Sequence, residues 1–313
     1  MTSILSITGP IYLAIALGYV CTRSGWFSRA DMRVFGQFVV RLALPGLLFS
    51  TVATREIADI LNVSYLLAYL VGTLVVIILG LAWGKRQHLP SADNVMAAMG
   101  MSCANSSFIG YPILLLTLAP VAAVALALNM MVENLVVIPL LLVLAERGRH
   151  HGSSGWQMLQ RTAWQLAKNP LIIALALGLT VALMRWQLPE PLSRSVNLFA
   201  TASAGLSLFV IGGTLFGLPL KGMGRQIAPI VVGKLLLHPL AVALATLALP
   251  LIGLPALAPH LQLAAVMLAA MPMMSIYPVL AQSYGKEDLG AAALLATTVA
   301  SFFTLSGLLW LTQ

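Results

Sequence analysis

The sequence predicts an all-α polytopic membrane protein with ten transmembrane helices. They form two inverted halves of five, and the fourth and ninth helices are broken. Three observations carry this reading. The chain is too apolar to be soluble. Its apolar runs fall into ten segments whose flanking charges alternate. And a proline-containing interruption in the fourth run returns, 166 residues later, in the ninth.

Composition comes first. Of 313 residues, 60% are hydrophobic and only 8% charged. A soluble domain carries about 25% charged residues, so this chain has too few polar groups to cover a water-facing surface. The net charge of +8 does not indicate a nucleic-acid partner. The basic residues sit in short loops, and no basic patch is interleaved with aromatics. Cys21 and Cys103 both lie in apolar runs, with no disulfide or metal-ligand spacing. The first 22 residues lack a basic n-region and read as a first helix rather than a signal peptide. No metal and no cofactor are expected.

Runs of about 20 apolar residues mark spanning helices. They cover about 4–22, 33–53, 63–84, 92–118, 121–145, 168–187, 195–217, 226–250, 260–283 and 289–311. Loops after odd-numbered spans hold twelve Lys and Arg, and loops after even-numbered spans hold three, Arg55, Arg185 and Arg194. The richer loops belong in the cytoplasm, which leaves both termini outside. Five spans per half is an odd number, so the second half enters the membrane from the opposite side and the repeat is inverted.

The expected domains are a first repeat over 1–145, a cytoplasmic linker over 146–167 and a second repeat over 168–313. Within the linker, Trp156, Leu159, Ala163 and Leu166 approximate one helical face, which suits a short interfacial helix; a plain linker is the alternative. Ala14/Gly18, Ala174/Gly178 and Gly213/Gly217 are small-xxx-small pairs that let helix backbones approach closely. They suggest a scaffold from spans 1, 2, 6 and 7, leaving spans 3–5 and 8–10 to hold the broken pair.

The fourth span contains CANSSFIGYPILLLTL, from Cys103 to Leu118. Pro112 lacks an N–H and its ring clashes with the preceding turn, so the helix is expected to break just before it. Gly110 permits the dihedrals a break needs. Freed backbone groups cannot face lipid, so they are buried in protein or line a wet cavity. A simple proline kink is the alternative. Tyr111-Pro112-Ile113-Leu114 returns as Tyr277-Pro278-Val279-Leu280, with Pro272 as an extra proline. A second echo relates Pro10 to Pro170 and Trp26 to Trp186, each 160 residues apart. Interrupted spans at matching places in two halves point to a transport site. Pro112 and Pro278 are each expected at the first position of a second half-helix.

Ionisable residues deep in a membrane are functional by default. Glu133 lies in the middle of span 5, with Asn129 on the same face and Asn134 about 100° away. Lys234 lies in span 8, with His238 one turn on. Glu133 and Lys234 are positioned to pair, either as part of an ion-coupling site or as a structural ion pair. Arg41 reads as a snorkelling residue and Asp93 as an N-terminal helix charge.

These residues resemble the auxin efflux carrier family, which includes bacterial permeases for malate, malonate and related acids and the plant auxin exporters. The matching features are Leu44-Pro45, Asn105 with Pro112, Asn169-Pro170, Lys234 through His238-Pro239, and Pro272 with Tyr277-Pro278, Tyr284-Gly285, Thr297-Thr298 and Ser301. The resemblance covers nearly the whole chain. It implies that spans 4 and 9 cross at their breaks, that the protein is a homodimer, and that a transport domain moves elevator-like against a scaffold. It also implies that Asn105 lies beside the substrate carboxylate. The chain lacks the long cytoplasmic loop of many plant members, which favours a small organic acid over auxin.

The functional expectation is a secondary active transporter of a small organic anion, driven by H+, in the cell (inner) membrane. A Na+-coupled carboxylate or bile-acid-like symporter and an anion channel are the alternatives. The expected substrate-binding residues are Asn105, Gly110, Tyr111, Pro112, Lys234, Ser275, Tyr277 and Pro278. The expected ion-coupling residues are Glu133, Asn129, Asn134, Lys234 and His238. An enzyme is not expected. There is no phosphate-binding loop, Gly152-Ser153-Ser154-Gly155 reads as a flexible linker, and Asp31, Asp59, Asp93 and Asp288 all lie near helix ends.

Overall fold

A computed structural model describes residues 2–54, 62–147, 160, 164, 167–217, 224–282 and 284–311. Its regular elements are helices: α1 Thr2–Arg23, α2 Arg29–Ala53, α3 Val63–Arg86, α4 Ser91–Ser102, α5 Ser106–Thr117 and α6 Ala119–Ala145. They continue as α7 Pro170–Leu183, α8 Glu190–Leu215, α9 Gly224–Ile252, α10 Pro259–Ala270, α11 Tyr277–Gln282 and α12 Glu287–Leu311. These helices overlay the ten apolar runs, with the fourth and ninth runs each divided in two. Among the described residues, six helices are long and apolar enough to cross a membrane, so the fold is an all-α membrane architecture. Most of the interfacial helix expected within 146–167 lies outside the described residues.

Among the described residues, four helices contain a wide π turn, and each π turn ends two residues before a proline. The pairs are Val39–Ala43 with Pro45, Ser106–Gly110 with Pro112, Glu133–Val137 with Pro139, and Gly233–Leu237 with Pro239. Proline cannot donate to the carbonyl four residues back and its ring presses on that carbonyl. In each case the carbonyl lies inside the π turn, so widening the turn relieves the clash without ending the helix. This corrects the expected break ahead of Pro112. Pro112 is the second residue of regular α-helix Tyr111–Thr117, but a π turn continues that helix back to Ser106. The non-helical stretch is Cys103–Asn105.

The described chain divides into two compact units. The first comprises residues 1–62, 107–128 and 167–217 and contains α1, α2, α7 and α8. Its helices approach at glycines. A Cβ on Gly18 would meet the Phe209 backbone carbonyl, and one on Gly212 would meet the Ile15 carbonyl. Gly178 lies against Val52 and the Phe49 carbonyl. Edge-to-face contacts join Phe27 to Phe35 and to Phe209. Gly217 does not pack between helices; it ends α8 in the left-handed region, with φ of 75°.

The second unit comprises residues 63–106, 129–166 and 218–313. Within it, α3 packs on α4 and α9, and α9 also meets α10 and α12. Gly72 lets α3 approach the backbone of Val242 in α9, and Gly233 is covered by Met101 of α4. Asn105, Asn129, Glu133, Lys234 and His238 all lie in this unit.

Candidate functional site

The two interruptions, Cys103–Asn105 and Met271–Ile276, lie against each other. Ala104 and Met273 form an antiparallel bridge. The Asn105 N–H donates to the Pro272 carbonyl at 2.8 Å, and the Met274 N–H donates to the Cys103 carbonyl at 3.2 Å. Backbone groups freed by the interruptions are thus paired with each other, as an apolar interior requires. Asn105 is 3% exposed, and Met271 and Met273 are fully buried.

Two ionisable side chains flank this pairing. Lys234 is fully buried on the π turn of α9. Its Nζ donates to the carbonyl of Ala269, the penultimate residue of α10, at 2.5 Å. It also lies 2.9 Å from His238 Nδ1. A cation therefore rests on the carboxyl end of a half-helix, where the helix dipole is negative. Glu133, on the π turn of α6, is 2% exposed. Its Oε1 accepts the Ala104 N–H at 3.0 Å and the Tyr69 hydroxyl at 3.2 Å. Ser106, the first residue of α5, donates to its Oε2 at the longer distance of 3.4 Å. The acid is therefore held at the first interruption.

A single hydrogen-bond route runs on from the lysine. With Lys234 donating to Nδ1, the ring of His238 has its Nε2–H free for Thr73 Oγ1 at 3.0 Å. Thr73 in turn donates to the Tyr69 carbonyl at 2.7 Å. The Tyr69 ring stands edge-on to His238 and stacks on Tyr65, while its hydroxyl reaches Glu133. On the acid side, Asn129 Nδ2 donates to Ser106 Oγ at 2.6 Å.

The structure thus brings together Asn105, Asn129, Glu133, Lys234 and His238. Glu133 and Lys234 do not pair directly: Glu133 is held at the first interruption and Lys234 at the end of α10. Asn134 bonds back to the Met130 carbonyl and stays outside this network. Ser275 lies in the second interruption and is half-buried. Tyr277 is buried at the start of α11, and its hydroxyl donates to the Met96 carbonyl at 3.0 Å. Pro278 is the second residue of α11. Gly110, Tyr111 and Pro112 lie further along α5, in the chain segment assigned to the first unit. Asp93 pairs with Lys286 at 3.0 Å, and Arg41 is exposed. Sequence reasoning missed Tyr69, Thr73 and Ser106, as well as the backbone groups of Ala104 and Ala269. Tyr65, Tyr69 and Thr73 recur at four-residue intervals on one face of an apolar helix, a signal that was available. The backbone groups carry no sequence signal.

An all-helical membrane fold with paired interruptions and two buried, oppositely charged groups defines a membrane transporter. The sequence matches the membrane transport protein family over residues 4–310, and the chain belongs to that family. It is a multi-pass membrane transport protein and not an enzyme. The resemblance to auxin efflux carriers led to this same family. The chain is 31% identical to a protein of Rhizobium meliloti (strain 1021) named "Putative malonate transporter", over 99% of this chain and 96% of that one. It is 27% identical to "Uncharacterized transporter YfdV" of Escherichia coli (strain K12), over 96% and 95% of the two chains. The same identity and coverage hold for the Shigella flexneri protein of that name.

Proposed function

We propose that this chain is a secondary active transporter of a small organic anion, a mono- or dicarboxylate, that moves its substrate with a proton. The observation that carries this reading is the pairing of the two interruptions between Glu133 and Lys234. Lys234 has three hydrogens as an ammonium, and two are directed at Ala269 and His238. The third is the natural donor to a substrate carboxylate, alongside the amide of Asn105. The relative named for malonate supports a dicarboxylate.

Charge balance supports proton coupling. Glu133 and Lys234 together carry no net charge. Adding a carboxylate leaves one uncompensated negative charge in a poorly solvated site, which is costly. A proton on Glu133 removes it. Sodium would meet the same need and is the alternative. The auxin-carrier resemblance supports the remaining architecture: ten spans as inverted halves, termini outside, a homodimer in the inner membrane, and an elevator movement. In that movement the body containing α3, α4 and α9–α12 carries substrate past a scaffold containing α1, α2, α7 and α8.

The test is malonate uptake by purified protein in liposomes under imposed pH or Na+ gradients. Uptake is expected to follow the pH gradient. Glu133→Gln is expected to flatten the pH dependence while malonate exchange at fixed pH survives. Uptake that follows Na+ and ignores pH, or a Glu133→Gln protein with the original pH profile, refutes the proton mechanism.

A further inference from the structure

A cavity in the second unit opens where α3 ends and α4 and α9 begin. It has a volume of about 280 Å³. Trp83, Met96, Ile230 and Leu289 form an apolar part of its wall, beside the polar Gln87 and Gln226. Its lining includes Tyr277, whose ring lies against Gly100 and whose hydroxyl is tied to the Met96 carbonyl. Three charged side chains line it: Arg225, Asp93 and Lys286. Asp93 and Lys286 neutralise each other across 3.0 Å. Gly285 holds the approach to Lys286 in the left-handed region, with φ of 69°, which favours glycine. Arg225 has no ion-pair partner among the described residues. Among the described residues, the cavity therefore presents one uncompensated positive charge beside apolar side chains.

We propose that this cavity is an anion-binding site, separate from the paired interruptions, that takes a monocarboxylate with a compact apolar body. The charge count sets the valence. One guanidinium without a counter-ion suits one carboxylate, and its planar fork can hold both oxygens. A second carboxylate on the ligand would meet Asp93. The volume sets the size. Ligand pockets span roughly 300–1,000 Å³, so a cavity near the lower bound fits a single-ring acid rather than a lipid or a nucleotide. The apolar wall sets the chemistry of the body, because desolvating it there is favourable.

The experiment is a titration of the full-length protein in lipid nanodiscs with benzoate, followed by tryptophan fluorescence and by calorimetry. Saturable binding is expected, with an emission change that Trp83→Phe removes. Arg225→Gln is expected to weaken benzoate at least tenfold, while Arg225→Lys retains part of the affinity. Benzamide, the neutral isostere, is expected not to bind at the same concentrations, and malonate is expected to bind more weakly than benzoate. Asn105→Ala is expected to leave the benzoate titration unchanged, which separates this site from the proposed transport site. No saturable binding by calorimetry overturns the proposal. So does equal affinity in Arg225→Gln, benzamide binding as well as benzoate, or loss of benzoate binding in Asn105→Ala.

Discussion

In the unit containing α1, α2, α7 and α8, the buried hydroxyls of Thr22, Ser203 and Ser207 return to their own helices. Thr22 donates to the Gly18 carbonyl, Ser203 to Ala200 and Ser207 to Ser203. No Asp, Glu, Lys, Arg or His side chain is buried there among the described residues. In the unit containing α3, α4 and α9–α12, some buried hydroxyls also return to their own helices, as Ser102 and Thr297 show, but other buried polar groups reach from one element to another. Thr73 meets His238, Tyr69 meets Glu133, and Lys234 meets Ala269. The first unit is held by shape, through backbone contacts that only glycine permits. The second is held by shape and by a polar network whose members are buried together. Buried polar groups are costly when they lose a partner, so the two units have different weaknesses. One should fail when volume is added, the other when charge is removed.

The largest expected effect tests the charged side. Lys234→Met keeps the length of the side chain and removes the ammonium. It leaves Glu133 as the site's only charge and the Ala269 carbonyl without its donor. We expect malonate binding to fall more than about a hundredfold, on the order of 3 kcal/mol or more. Binding by a monodisperse Lys234→Met protein at near-original affinity would refute the role assigned to the lysine.

Gly212→Leu tests the other side. The new Cβ meets the Ile15 carbonyl, a backbone atom that cannot swing away. Overpacking of this kind costs roughly 1–3 kcal/mol, read as a lowered thermal midpoint. Gly205, also in α8, faces open space, so Gly205→Ala is expected to raise the midpoint slightly, by about 0.5–1 kcal/mol of helix propensity. Equal behaviour of the two variants would remove close approach as the reason for glycine at 212.

Asn105→Ala is expected to weaken malonate about tenfold, roughly 1.4 kcal/mol, with little change in thermal stability. Unchanged affinity in a well-folded protein removes Asn105 from the site. The smallest effect is expected from Thr73→Val, which takes one hydroxyl from the network and keeps the volume. A stability loss of about 1 kcal/mol is expected, the usual net worth of one such bond. A Thr73→Val protein that melts at the original temperature would show that His238 does not depend on this contact.

Much of the helical framework was legible because its causes are local. Apolar runs of spanning length fixed where the helices lie, to within a few residues at most ends. Glu133, Lys234 and His238 stood out because ionisable groups are rare in such runs. Asn134 also stood out and proved to bond only to its own helix, since position in a run does not tell which neighbour a side chain meets. Pro112 misled for a related reason: a proline fixes that something must yield, but not how. A π turn absorbed it, and the interruption formed seven residues earlier at Ala104–Asn105.

The sequence by itself determined where most of the helices lie and at which prolines a helix must yield. These follow from hydropathy, from the missing proline N–H and from residues only a few positions apart. Tertiary structure decided where the fourth helix stops and what Glu133 and Lys234 hold. Both outcomes depend on segments far apart in the chain, Cys103–Asn105 against Pro272–Met274 and α9 against the end of α10. In an interior without water every freed carbonyl and N–H must find a partner. Which partner it finds is settled only when those segments come together.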